Sequence, residues 1–132
     1  NNTGITLQDL GRYDEALAAH ATARDLNQAA GNTHSQAITW NNTGTALRAL
    51  HRHGEAVAAG RRAAEAFESF ADFTRAGEAL GELATSLEAG GAGADEVRAT
   101  WLRSAGAYDR AGATVKRDES RAKAEAVGSA AG

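Results

Sequence analysis

The strongest constraint on the fold of this chain is a heptapeptide that occurs twice. Residues 41–47 read NNTGTAL and residues 1–7 read NNTGITL, an offset of 40 positions. A weaker third copy follows, in which Leu87 lies 40 positions after Leu47. Self-similarity at a period of roughly 20–50 residues is typical of folds in which one supersecondary unit stacks repeatedly on its neighbour. The sequence therefore predicts an array of repeats without one deep central core.

The composition predicts that the repeated unit is helical. Alanine accounts for 33 of the 132 residues, proline is absent, and Leu, Ile, Val, Phe, Trp and Tyr together total only 23. Alanine has the highest helix propensity, and no run alternates as a half-buried strand would. So many small side chains favour helices that approach each other closely. We therefore predict an all-α fold.

Apolar residues spaced by three and four positions, with short turns between them, predict about seven antiparallel helices in a single array over residues 1–128. The predicted helices are residues 1–10, 13–30, 33–50, 55–70, 74–89, 95–111 and 115–127. They form repeats at about 1–31, 32–72 and 73–112, followed by the closing helix 115–127 and a tail at 129–132. Thr33 and Gln36 match a capping box. The turn at residues 90–93 carries one inserted residue, so later positions align at an offset of 41.

The repeated positions resemble the tetratricopeptide repeat. Its pattern is W-x2-L-G-x2-Y on the first helix and small, aromatic and small residues on the second. The best copy has Trp40, Gly44, Leu47, Ala56 and Ala63, with departures at Thr43 and Gly60; the first copy has Gly4, Leu7, Ala16 and Ala23, with His20 at the aromatic position. The 40-residue period and the phrases NNTG and GRYDEAL are similar to a long-helix subgroup, found in kinesin light chains and in large bacterial signalling ATPases and transcription regulators.

The resemblance implies a right-handed superhelical solenoid of antiparallel helix pairs. In such proteins the first helix of each pair lines a concave groove, and the groove binds a peptide or a segment of a partner protein. The resemblance implies no catalytic activity and no cofactor. Trp40, Gly44 and Leu47 share the face that packs against the second helices, so the flanking positions of the first helices become the candidate binding surface.

The candidate partner-binding residues are Asn1, Asn2, Asn41, Asn42, Thr45, Arg48, Glu78, Glu82 and Thr85. An asparagine side chain carries both a donor and an acceptor, and can therefore hold a peptide backbone whatever its side chains are. The alternative is that the asparagine pairs bond neighbouring helices within the array. The groove becomes acidic towards Glu78, Glu82 and Glu88, which would favour a basic segment unless these carboxylates are only a solvated surface.

Other functional classes find little support in the sequence. The net charge of −3 is spread along the chain, with no basic stripe for nucleic acid, and no apolar run is long enough to span a bilayer. Cysteine is absent, which excludes thiolate sites and fits a reducing, cytoplasmic location. His51 and His53 are too few ligands for a metal site, and no nucleophile, base and oxyanion donor form a constellation. We predict that the chain is not an enzyme.

We therefore predict a protein- or peptide-binding module, a docking or sensing segment of a larger bacterial regulatory protein. The chain starts within a repeat, which suggests a fragment of a longer array. The alternative is a structural scaffold or self-association segment without a ligand of its own. In that case an apolar surface near Leu7 and Leu17, at the end of the array, would form a homodimer.

Overall fold

The computed structural model describes residue 4 and residues 11–131, with side chains up to residue 127, and the described chain forms six helices. They are α1 (Tyr13–Ala29), α2 (Thr33–Ala49), α3 (His53–Ser69), α4 (Phe73–Ala89), α5 (Ala94–Arg110) and α6 (Thr114–Ala131). Each helix packs against the next along the chain, α2 also contacts α4, and the described residues contain no strand. The prediction of an all-α array of helix pairs is confirmed. Apart from Gly4, the predicted first helix lies outside the described residues.

The helices repeat with the period of the sequence. α1 to α5 have 17 residues each, and α1 to α4 begin 20 residues apart. α5 begins 21 residues after α4, because the turn at residues 90–93 is one residue longer than the turns before it. The insertion predicted at this turn is confirmed.

Equivalent side chains begin α2 and α4. The side chain of Asn32 accepts a hydrogen bond from the backbone N–H of Ser35 at 3.1 Å, and that of Asp72, 40 positions later, accepts from Arg75 at 3.3 Å. Such caps satisfy an N–H group that has no partner within the helix. The predicted capping box at Thr33 is wrong by one residue, since Asn32 is the cap and Thr33 is already helical.

The core is built from small side chains with a few large ones between them. Phe67 and Leu80 are about 1% exposed and pack among alanines of α2, α3 and α4. Gly44 allows the close approach that the sequence predicted, because a Cβ atom there would lie 3.4 Å from the carbonyl oxygen of Ala56 on α3. This close approach follows from the composition, because alanine and glycine place little side-chain volume between the helix backbones.

Buried hydroxyl groups hold α6 against the two helices before it. Ser104 Oγ on α5 donates to the carbonyl oxygen of Gly77 on α4 at 2.8 Å and lies 3.0 Å from Ser120 Oγ on α6. All three residues are buried. α6 extends through Ala131, so residues 129–131 are helical and not the predicted tail; the alanine-rich sequence of this end favours helix.

Gly77 and Gly106 offer a matched test of this packing. A Cβ atom at Gly77 would lie 2.7 Å from Tyr108 Cδ1, whereas one at Gly106 would meet nothing within 4 Å. We expect Gly77→Ala to lower the free energy of unfolding by about 1–2 kcal/mol, because overpacking outweighs the gain in helix propensity. Gly106→Ala should raise it by about 0.5–1 kcal/mol. Urea unfolding monitored by circular dichroism measures the free energy of unfolding of both variants. Equal effects at the two sites would contradict the packing of α4 on α5.

Candidate functional site

Seven of the nine predicted binding residues lie on α2 and α4, which contact each other directly. On α2, Asn41, Asn42, Thr45 and Arg48 are all half-buried; on α4, Glu78 and Thr85 are exposed and Glu82 is half-buried. Asn1 and Asn2 lie outside the described residues. The structure therefore brings the predicted residues of two successive repeats to adjoining helices.

Two of these residues neutralise each other across the helix pair. Arg48 Nη1 lies 2.5 Å from Glu82 Oε2 and also donates to the backbone carbonyl of Glu82 at 3.4 Å. About a quarter of the Arg48 side chain is exposed. The pair connects α2 to α4, so neither charge is fully available to a partner.

The polar groups of Thr45, Thr85 and Asn41 are engaged to different degrees. The hydroxyl of Thr45 donates to the carbonyl of Asn41 at 3.3 Å, and that of Thr85 donates to the carbonyl of Gly81 at 2.9 Å. Their oxygen lone pairs therefore remain as acceptors. Asn41 Oδ1 is buried and accepts no hydrogen bond from any residue that the structure describes.

Beside these residues lies a cleft of about 300 Å³, which we call the α4–α6 cleft. Glu78, Glu82 and Thr85 of α4 form one wall, Trp101 and Tyr108 of α5 contribute aromatic surface, and Lys116, Glu119 and Lys123 of α6 form the opposite wall. Gly81 lets α4 approach the indole ring, since a Cβ atom there would lie 3.2 Å from Trp101 Cζ3. Three predicted residues thus share one concave surface with an aromatic side chain.

The lysines of α6 were missed as site residues, and they change the charge of the cleft. Lys116 Nζ lies 3.6 Å from Glu78 Oε1 and 5.7 Å from the centre of the Tyr108 ring, and Lys123 Nζ lies 5.3 Å from the Trp101 ring. The sequence analysis identified this segment only as a closing helix at residues 115–127. The acidic character predicted from α4 alone is therefore offset by cations from α6.

Tyr108 keeps its proton at neutral pH. Burial raises its pKa to about 12, and the negative charges of Glu78, Glu119 and Glu82 act in the same direction. A neutral phenol can donate one hydrogen bond and accept another. The cleft therefore offers apolar, cationic and anionic groups side by side, which suits a polypeptide better than a substrate of one uniform charge.

A second cleft, of about 500 Å³, lies between the second helices α1 and α3, and we call it the α1–α3 cleft. Trp40 of α2 lines it and is half-buried, so it is less enclosed than its predicted place on the packing face implied. Gly44 and Leu47, which share that face, are buried as predicted.

Metal and membrane sites find no support among the described residues. The rings of His51 and His53 lie 5.7 Å apart, yet no group of three or more His, Cys, Asp or Glu side chains in the described chain could hold a metal ion. Within the same residues, no helix is both long and apolar enough to cross a bilayer. Leu17, which we predicted to lie on an uncovered apolar end, is half-buried against Leu47, Ala56 and Ala59; Leu7 is not among the described residues.

Comparison with known proteins identifies the repeat. The family model described as tetratricopeptide repeat matches residues 1–69, which is just over half of the chain. A search of curated proteins finds no match to the chain. The matched region ends with α3, and α4 and α5 continue the same helix length beyond it, with one residue more in the turn between them. The chain therefore belongs to the tetratricopeptide-repeat family.

Proposed function

We propose that this chain binds an extended segment of a partner protein along the α4–α6 cleft and the adjoining surface of α2. Tetratricopeptide repeats generally serve as protein-interaction modules or scaffolds, and they are typically not catalytic. The observation that carries the proposal is a pair of adjoining clefts, which together we call the channel: the α4–α6 cleft lies beside a cleft of about 330 Å³, with which it shares Thr85, Trp101 and Lys123.

The dimensions of this channel fit a short peptide. Its α4 wall extends from Glu78 to Glu88, an advance of ten positions along the helix. At about 1.5 Å per residue this is about 15 Å, which an extended chain covers with four to five residues at about 3.3 Å each. A peptide of this length would lie between α4 and α6 over the ring of Trp101.

The side chains around the channel indicate how such a segment would be held. Trp101 provides a flat apolar surface for one large side chain, and aromatic anchors of this kind often dominate the affinity of an interface. Lys116 and Glu78, which are about half exposed, can exchange their mutual contact for groups of the partner. Because both signs of charge are present, we expect a segment with little net charge and one apolar anchor. The amides of Asn41 and Asn42 on α2 extend the polar surface towards the preceding repeat.

We further propose that the module docks or senses within a larger bacterial regulatory protein, as the resemblance of its repeats to those of bacterial regulators suggests. The alternative is a scaffold segment that spaces or self-associates without binding another protein. Sedimentation velocity over a wide concentration range identifies a scaffold that self-associates, because it would form dimers. A scaffold that only spaces would stay monomeric and would bind no peptide in the selection described next.

A display selection tests the proposed site. Random linear peptides would be selected against the wild-type chain, and the affinity of the enriched peptides measured for Trp101→Ala and for the adjacent Leu102→Ala. Leu102 is half exposed and does not line either part of the channel, so it controls for general surface effects. We expect Trp101→Ala to weaken binding about tenfold or more and Leu102→Ala to change it less than about twofold. Enriched peptides that bind both variants equally, or a selection that enriches none, would contradict the proposal.

A further inference from the structure

The α1–α3 cleft differs in chemistry from the proposed peptide channel. Its inner surface is mainly apolar, formed by Leu17, Ala18, Trp40, Leu47, Ala58 and Ala59. Its volume of about 500 Å³ lies within the range of about 300–1,000 Å³ that is usual for binding sites. Two arginines lie at this surface, and their arrangement indicates what the cleft can bind.

Arg24 of α1 and Arg62 of α3 both stack on the indole of Trp40. Their guanidinium carbons lie 4.1 Å and 4.6 Å from the centre of the ring. Arg24 Nη1 also donates to Thr43 Oγ1 at 2.5 Å, which holds its guanidinium at the edge of the cleft. Cation–π contact positions both side chains but leaves their N–H groups able to donate to an anion.

Neither of these two side chains forms an ion pair with a carboxylate of the described chain. Nine of the twelve arginines pair with a carboxylate. Arg24 and Arg62 form no such pair with any described residue, whereas Arg52 at the same cleft is paired with Glu55. Burial lowers the pKa of Arg24 and the charge of Arg62 lowers it further, although Asp25 opposes both effects. Both arginines line the α1–α3 cleft, so an anion bound there would be attracted by both charges.

We propose that the α1–α3 cleft is a second binding site, which takes an acidic–apolar segment of a partner polypeptide. A carboxylate side chain of the segment contacts Arg24 and Arg62, and an adjacent large apolar side chain fills the hollow beside Trp40. Arginine suits this role because its planar group can donate two parallel hydrogen bonds to one carboxylate. This site shares no residue with the α4–α6 cleft and does not depend on the function proposed for it.

A polypeptide fits this cleft better than nucleic acid does. The chain carries a net charge of −3, and Glu55 lies at the same cleft, so a polyanion would meet repulsion along its length. A single carboxylate beside an apolar side chain can contact the two arginines, while Glu55 at the same cleft is paired with Arg52. The apolar lining can also bury an apolar side chain of a polypeptide, whereas a phosphate backbone has no such group to bury.

The two tryptophans of the chain allow the site to be tested separately from the proposed peptide channel. In a Trp101→Phe protein, Trp40 is the only fluorescent indole. The probe is a blocked hexapeptide of alternating leucine and glutamate, and its control is the isosteric leucine–glutamine peptide. We expect a saturable change in Trp40 emission with the acidic probe. The affinity for the neutral peptide should be at least about tenfold weaker. In a Trp40→Phe protein the emission of Trp101 should not change.

Arginine variants complete the test. We expect Arg62→Gln, and more strongly Arg24→Gln with Arg62→Gln, to weaken binding of the acidic probe by about tenfold or more. Arg61→Gln is the matched control, because Arg61 lies next to Arg62 on α3 but pairs with Glu96, and it should stay within about twofold of the parent. Thermal unfolding by circular dichroism checks that each variant is folded. The proposal is overturned if the neutral peptide binds equally, if sodium acetate at the same concentration reproduces the signal, if only Trp101 responds, or if no saturable change occurs.

Discussion

Phe67→Ala should lower the free energy of unfolding by about 3–5 kcal/mol, the largest effect that we expect from a single substitution in this chain. The phenyl ring is about 1% exposed and packs among Ala63, Ala64 and Ala76, and its centre lies 5.7 Å from the centre of the His34 ring. Alanine neighbours cannot extend into the cavity that the truncation would leave. Because the free energy of unfolding of a small domain is only about 5–15 kcal/mol, this loss would remove much of the stability of the array.

Phe70 provides the matched control for Phe67. It is the next phenylalanine along the chain and its ring lies 5.4 Å from the same His34 ring, but it is 43% exposed. We expect Phe70→Ala to cost less than about 1.5 kcal/mol, since the exposed part of the ring contributes no burial. Urea unfolding of both variants, with the slope of each transition compared, provides the measurement. Equal losses for the two phenylalanines would mean that the register of α3 on α2 and α4 is wrong.

The second large effect is the pH dependence that His20 gives to stability. We expect the free energy of unfolding to fall by about 2 kcal/mol between pH 7.5 and pH 5. His20 is completely buried, and a Cβ atom at Gly4 would lie 2.5 Å from its ring, so the imidazole has no room to gain a hydration shell. Burial lowers its pKa to about 4, and nearby positive charge, including that of Arg24, acts in the same direction. His20, which stands at the aromatic position of the first repeat, is therefore an interior histidine.

The direction of this effect follows from proton binding in the two states. Below pH 6.5 the unfolded chain binds a proton at His20, while the folded chain does not until the pH approaches 4. Stability is therefore complete above pH 6.5 and falls as the pH decreases towards 4. His20→Leu should flatten the profile between pH 7.5 and 5, a window in which carboxylates stay ionised. An unchanged slope in this variant would assign the effect to another group.

The repeat made the helices predictable because the same capping and turn residues recur in successive copies. Asn32 and Asp72 cap equivalent helices, and the longer turn at residues 90–93 appears in the sequence as a change of offset from 40 to 41. Glycine at Gly31 and Gly91 marks turns with left-handed backbone, at φ of 72° and 85°. Each of these signals depends on residues a few positions apart, which a sequence displays directly.

The candidate site was predictable only in part, because it depends on contacts between distant helices. Helical spacing separated the flanking positions of α4 from the packing surface, and the family resemblance implied that they line the groove. The contribution of α6 was not predicted. α6 carries charges and alanines on several sides, so its sequence does not determine which lysines turn towards Trp101. The stacking of Arg24 and Arg62 on Trp40 likewise depends on how α1 and α3 flank α2. The repeat does not encode these contacts. Ala64 occupies the position equivalent to Arg24, and Arg103, which is equivalent to Arg62 at the offset of 41, pairs with Glu68.

The most direct measurement of the proposed function is a fluorescence titration of the Trp40→Phe protein, in which Trp101 is the only tryptophan, with a display-selected peptide. We expect a saturable change in Trp101 emission at the same concentrations that saturate binding to the wild-type chain. The Trp101→Phe protein should show weaker binding and no change in Trp40 emission. A peptide that binds the wild-type chain but changes only the emission of Trp40 would contradict binding in the α4–α6 cleft.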